Sequence, residues 1–164
     1  MNGDELFIYD ILLKNKKDGY WKFVELKPQS KKYDDLNFWV AYPDFEFYSK
    51  EKMILLVEVK GYHGFFDGRE NIVAMKLRHF KSYQVVQKKE NKEVRVAFVM
   101  RIWKNKKVVF WETISNILNM PSYIEEYPYK EKDFETGKVI DKSEKFIFWN
   151  INGFRTDEDN LGLQ

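Results

Sequence analysis

The stretch YPDFEFYSKEKMILLVEVKGYHG, Tyr42 to Gly64, decides the fold. Its apolar run, Met53 to Val57, continues without a break into Glu58, Val59 and Lys60. Both parities of the run are apolar, with Met53, Leu55, Val57 and Val59 on one and Ile54 and Leu56 on the other. A strand of that kind is covered on both faces and lies centrally in a sheet. Side chains alternate along a strand, so Glu58 and Lys60 share the face of Ile54 and Leu56. Their charges stand at the C-terminal end of the strand. Upstream, FWVAYPDFEFY reads as a second strand, and the polar SKEK turn makes the two a hairpin. The hairpin brings Asp44, Glu58 and Lys60 to one edge of the sheet.

Working outward, DELFIYDILL, Asp4 to Leu13, opens with acids and carries Leu6, Phe7, Ile11, Leu12 and Leu13, the pattern of a short amphipathic helix. YWKFVELK alternates as a strand. Asp67 and Glu70 have capping-box spacing, with Asp67 as N-cap, and predict a helix from about Arg69 to Lys88 with Ile72, Val73, Leu77, Phe80 and Tyr83 toward the core. EVRVAFVMRI alternates as a strand with one wetter face. VVFWETISNIL reads as a strand or the start of a helix. DFETGKVIDKSEKFIFWNI suggests a hairpin, and RTDEDNLGLQ a frayed, acidic terminus. The expected architecture is α/β, with an αβββαβ core whose central mixed, mostly antiparallel sheet is flanked by helices. Residues 1–119 form that core, and residues 120–164 are a C-terminal extension packed on the same domain.

The 164 residues contain no cysteine, and 18% are aromatic, which favours one packed domain that depends on no disulfide. No apolar run approaches the roughly 20 residues of a membrane span. The N-terminus lacks a basic region and a cleavage site, so the expectation is a cytoplasmic protein with no membrane partner. The net charge of +2 hides a division: residues 76–107 carry 11 Lys or Arg against 2 Asp or Glu, while residues from 120 onward carry 6 against 10. A concentrated basic stretch in a near-neutral chain predicts a surface for a polyanion.

An acid-x-Lys triplet by itself is weak, since Glu25-Leu26-Lys27 and Glu90-Asn91-Lys92 have the same form. Glu58-Val59-Lys60 differs in ending a central apolar strand, in preceding Gly61, and in following a Pro43-Asp44 pair in the partner strand. Pro43-Asp44 followed by Glu58-Val59-Lys60, in this order of elements, resembles the PD-(D/E)xK nuclease superfamily and its restriction-endonuclease-like core. The likeness spans roughly Asp4 to Ile102. YPDF and LVEVKG are similar, more narrowly, to phage endonucleases that resolve Holliday junctions and to endonucleases that cut transposon ends. Tyr42 stands one place closer to Pro43 than in that form.

The resemblance implies a metal-dependent DNA endonuclease that leaves a 5′-phosphate on double-stranded or branched DNA, with homodimers common among such enzymes. Phosphodiester hydrolysis needs a metal for the non-bridging oxygens, an activated water and a cation for developing charge. Asp44 and Glu58 are the expected ligands of Mg²⁺, for which Mn²⁺ would substitute, with the Val59 carbonyl as a third. Lys60 is the expected catalytic cation, orienting or deprotonating the attacking water. The families often add an acid from the first helix, here Glu5, with Asp4 and Asp10 as rivals, and Glu25 resembles a further accessory acid. They also place a polar helper on the following helix, where Lys76 and Gln84 are candidates. Lys76, Arg78, Lys81, Gln84 and Lys88 are expected along the DNA backbone.

His63 reads as a loop residue within reach of a phosphate, and His79 as solvated or DNA-facing. Two histidines and no cysteine do not make a zinc site. There is no phosphate-cradling glycine loop and hence no expected nucleotide cofactor. Other readings stay open: a restriction or repair nuclease on the same fold, a non-catalytic nucleic-acid-binding module, and a protein-interaction domain suited by the acidic C-terminal segment. In the plainest, Glu58 and Lys60 are a same-face ion pair and Asp44 a turn acid.

Overall fold

The computed structural model describes residues 3–14, 21–25, 30–49, 52–63, 71–102 and 106–156. Helix α1, Gly3–Lys14, precedes strand β1, Trp21–Glu25. A two-stranded ribbon follows, β2 (Ser30–Lys31) with β3 (Val40–Ala41), and then the hairpin β4 (Phe45–Ser49) and β5 (Lys52–His63). Next come β6 (Ile72–Lys76), α2 (Leu77–Glu90), β7 (Glu93–Ile102), β8 (Lys106–Thr113) and the single turn α3 (Ile114–Ile117). Two long strands, β9 (Tyr123–Lys132) and β10 (Val139–Asn150), and a short 3-10 turn at Ile151–Gly153 complete the described order.

The central sheet runs β1-β4-β5-β7-β8, and only the β5–β7 pairing is parallel. It is α/β with a mixed, mostly antiparallel sheet, as the alternation predicts, and β5 is its middle strand. The two parities of β5 feed two separate cores. Leu56 joins Val94, Val96 and Phe98 of β7 with Phe80, Tyr83 and Val86 of α2. Leu55, Val57 and Val59 join Phe45, Phe47 and Ile8 of α1 on the other face. Helices therefore cover both faces of β5, which is why neither parity could be polar before Glu58.

Two expectations need correction. FWVAYPDFEFY is not one strand: it is interrupted between Ala41 and Phe45, where Pro43 has no N–H to offer a ladder. The helix expected from Arg69 begins at Leu77 instead, because Ile72–Lys76 pairs with β10 as a strand, Phe146 opposite Lys76 and Asn150 opposite Ile72. The proposed cap at Asp67 and Glu70 lies outside the described residues; Lys76 holds the N-cap position of α2 with no side-chain cap. The helix ends as helices commonly do, with Asn91 in the left-handed region (φ 51°) and Lys88 and Lys89 facing its negative end.

The C-terminal hairpin spans Tyr123 to Asn150, longer at its start than the sequence suggests, and forms a second sheet in the order β6-β10-β9. Trp149 meets Phe80 of α2 edge to face at 5.0 Å, and Ile147, Ile151 and Phe154 enter the same core as α2. VVFWETISNIL is both things proposed for it, strand through Thr113 and then a helical turn capped by the Thr113 side chain, which accepts from the Asn116 amide. Among the described residues no helix is long and apolar enough to cross a membrane.

Candidate active site

The strand β5 does not end at Lys60 but continues to His63 along β7. What changes at Glu58 is the neighbour on the other side. The last pair of the β4–β5 ladder is Phe45 with Val57, so beyond Val57 that side of β5 faces the segment entering β4. Asp44 fills the gap. Its backbone N–H donates to Glu58 Oε2 at 3.2 Å, and its own Oδ2 accepts the Val59 N–H at 2.8 Å. Within a strand the N–H and C=O of one residue point to the same side, so the Val59 carbonyl also faces Asp44.

Asp44, Glu58 and Glu5 are all buried, at 4%, 5% and 5% exposure. Burial, reinforced by the neighbouring Glu58 charge, pushes the Asp44 carboxyl up to about 8; Glu5 adds to the rise, while the Val59 N–H and Lys60 oppose it. Lys60 Nζ lies 2.8 Å from Glu58 Oε1. Glu58 thus joins the three residues expected at one edge, accepting from the Asp44 N–H and pairing with the Lys60 ammonium.

Glu5 sits in the first turn of α1, which docks where β5 has no side chain. A Cβ at Gly61 would lie 1.8 Å from Asp4 Oδ2 and 2.8 Å from its Cγ. Asp4 in turn meets Lys107 Nζ at 3.3 Å, so Asp4 is the anchor of α1 and its neighbour Glu5 the acid turned toward Asp44. Gly61→Ala is expected to displace that turn and destabilise the fold by about 1–3 kcal/mol. A thermal unfolding midpoint equal to wild type would show that α1 is not seated on Gly61.

The α2 residues that reach Lys60 are not Lys76 and Gln84. Lys60 Nζ stands 3.3 Å from Tyr83 Oη and 3.4 Å from His79 Nδ1. Lys76 instead stands at the N-cap position and pairs with Glu144 at 3.7 Å, and Gln84 turns back to the Phe80 carbonyl. His79 is half-buried rather than solvated. Burial first, then the charges of Lys60, Arg78 and Lys76, holds its imidazole down at about 4, so it is neutral at physiological pH. His79 and Tyr83 are one helical turn apart, a spacing visible in the sequence, yet nothing there tells which part of the helix faces β5.

Arg78, Lys81 and Lys88 are exposed on α2. Much of the basic excess of this region is matched by acids from elsewhere: Arg78 and Lys76 by Glu144, Lys89 by Asp35, Lys107 by Asp4. The backbone of Glu25 pairs with Phe45, one residue past Asp44; its side chain lies outside the described residues. His63 is the last residue of β5, opposite Arg101, and not a loop residue; its side chain too lies outside the described set.

Among the described residues no three His, Cys, Asp or Glu side chains are gathered as a ready-made metal cage. Mg²⁺ needs less, since it keeps several waters and takes one or two carboxylates. Two adjoining buried carboxylates with a carbonyl beside them are a hard-oxygen set that fits it. No family model matches the chain, and comparisons with curated proteins and with solved structures likewise give no match.

Proposed function

We propose that this protein is a metal-dependent DNA endonuclease of the PD-(D/E)xK type. The observation that carries the reading is the burial of Asp44 beside Glu58 where the β4–β5 ladder stops, with Lys60 in contact with Glu58. Side-by-side buried carboxylates cost several kcal/mol and are retained where something compensates them. A same-face ion pair would need Glu58 and Lys60 alone, and gives no reason for Asp44 to be enclosed with them.

Asp44 and Glu58, with the Val59 carbonyl, would hold a Mg²⁺ or Mn²⁺ ion, which supplies charge neutralisation at the phosphate and a bound water of lowered pKa. Lys60 Nζ orients the attacking water and donates to the negative charge growing on the phosphoryl oxygens. Water oxygen bonds to phosphorus as the bond to the 3′-oxygen breaks, leaving a 5′-phosphate and a 3′-hydroxyl. His79, neutral, and Tyr83 hold Lys60 in its rotamer without adding a competing charge. The exposed Arg78, Lys81 and Lys88 contact phosphates and position the duplex without reading its sequence. The sequence resemblance favours branched DNA or transposon ends as substrates.

The test is incubation of purified protein with supercoiled plasmid, linear duplex and a four-way junction, in Mg²⁺ or in EDTA. Strand scission in Mg²⁺ alone is expected, and binding in EDTA should weaken steeply as salt rises. Absence of scission on all three substrates would refute the enzyme. Binding that ignores salt would refute the phosphate-contacting surface.

A further inference from the structure

We propose that the cleft between the start of α2 and the β9–β10 hairpin binds an unpaired nucleotide of single-stranded DNA, so that the enzyme takes substrates with a free or splayed arm beside the cut. The proposal deepens the nuclease reading and rests on it for the class of ligand. Two cavities of about 370 and 300 Å³ flank the Arg78–Glu144 ion pair. The larger is lined by Tyr127, Tyr129 and Phe146 together with Lys76, Arg78 and Glu144. Its volume is at the small end of ligand sites, about right for one nucleotide.

Strand register explains the aromatic wall. Phe146 pairs with Lys76, Tyr127 with Glu144 and Tyr129 with Lys142, and alternation sets these residues on one face of the β6-β10-β9 sheet. None of the three aromatics belongs to either buried core. Tyr127 and Phe146 brace each other edge to face at 5.7 Å, while Tyr129 is 45% exposed. Core formation does not account for a partly exposed tyrosine at a cation-rimmed cavity. Bases have π-faces that stack on such rings, and a paired base inside a duplex has both faces already covered.

The cations supply the phosphate contact. Arg78 spends Nε on Glu144 at 2.8 Å, yet its side chain remains 62% exposed, and Lys76 shares the same carboxylate at 3.7 Å. Two cations against one acid leave the rim positive, and a guanidinium with five donors can bind a phosphate while keeping one bond. Lys81 and Lys145 extend the positive rim in the adjoining cavity, where Glu126 is opposed to them. The chain itself places the cleft beside the chemistry: His79, which follows Arg78, touches Lys60. Glu144 competes with the phosphate for Arg78, so it tunes the affinity downward.

Fluorescence anisotropy of labelled oligo-dT and of a blunt, fully paired duplex, both in EDTA, tests the cleft apart from catalysis. Tyr129→Ala is expected to raise the oligo-dT Kd about tenfold, the scale of one lost base stack, with less than a twofold change for the duplex. Tyr129→Phe should bind as wild type, because the ring and not the hydroxyl stacks. Glu144→Gln should tighten oligo-dT binding, a gain that mere unfolding cannot produce. A wild type that does not bind oligo-dT, a Tyr129→Ala variant that binds it equally well, or one that loses duplex equally, overturns the proposal. Oligo-dT binding that depends on Tyr129 in a protein that cuts nothing in Mg²⁺ would uphold the cleft and remove the nuclease.

Discussion

Lys60→Ala is expected to lower Mg²⁺-dependent cleavage by at least about 10²–10³-fold, the usual loss when one preorganised donor to developing charge is removed. Asp44→Asn and Glu58→Gln are expected to lose as much or more, since each removes half of the carboxylate pair that would hold the ion. DNA binding in EDTA should change by less than about twofold in Lys60→Ala, because the cations proposed to contact phosphates lie on α2 and not at β5. That split between cutting and binding is the discriminating readout, taken by gel assay and by anisotropy on the same preparations. Lys60→Ala also leaves Glu58 without the ammonium 2.8 Å away, so a thermal unfolding curve must accompany it. Asp44→Asn is the cleaner partner, as an amide oxygen can still accept the Val59 N–H. If either variant cuts at the wild-type rate, the assignment of the site is wrong.

The same Asp44→Asn change should raise the stability of the metal-free protein at pH 8 by about 1–3 kcal/mol, or about 2–4 °C of midpoint per kcal/mol for a chain of this size. The sign follows from linkage. A carboxyl whose folded pKa is raised, here to about 8, binds a proton more readily in the fold than in the unfolded chain. Its contribution is fully present below the ordinary carboxyl value of 3.8 and is lost as pH climbs toward 8. The wild-type and Asp44→Asn curves should therefore converge near pH 4 and separate toward pH 8. His79 acts in the opposite direction. With its pKa lowered to about 4, its contribution is complete above the ordinary 6.5 and declines as pH falls toward 4. That decline is common to both proteins, so their difference isolates Asp44. Mg²⁺ should narrow the gap at pH 8 by stabilising wild type alone. Parallel wild-type and variant curves across pH 4 to 8 would show that Asp44 is not the strained group.

The elements with strong, unbroken periodicity were readable one by one. Both parities of Met53–Val59 are apolar, and β5 is the central strand; EVRVAFVMRI alternates, and β7 covers those same residues, Glu93–Ile102. Ile72–Lys76 has apolar residues that suit a helix as well as a strand, so its local pattern does not separate the two. The deciding partner, β10, lies some seventy residues further along, and a local pattern carries no information about a pairing at that range. The proline at position 43 broke the strand expected across it, leaving Asp44 between β3 and β4.

The sequence by itself determined that Asp44, Glu58 and Lys60 lie together, because hairpin register and the two-residue period of a strand are local geometry. Only the tertiary structure decided what surrounds them. Gly61 admits Asp4 and with it Glu5, His79 and Tyr83 rather than Lys76 and Gln84 reach Lys60, and Glu144 from the last strand quenches part of the basic excess. Those contacts join residues 19 to 66 positions apart and depend on how helices and sheets pack. Packing is a property of the whole chain, and so is the electrostatic environment in which the three residues act.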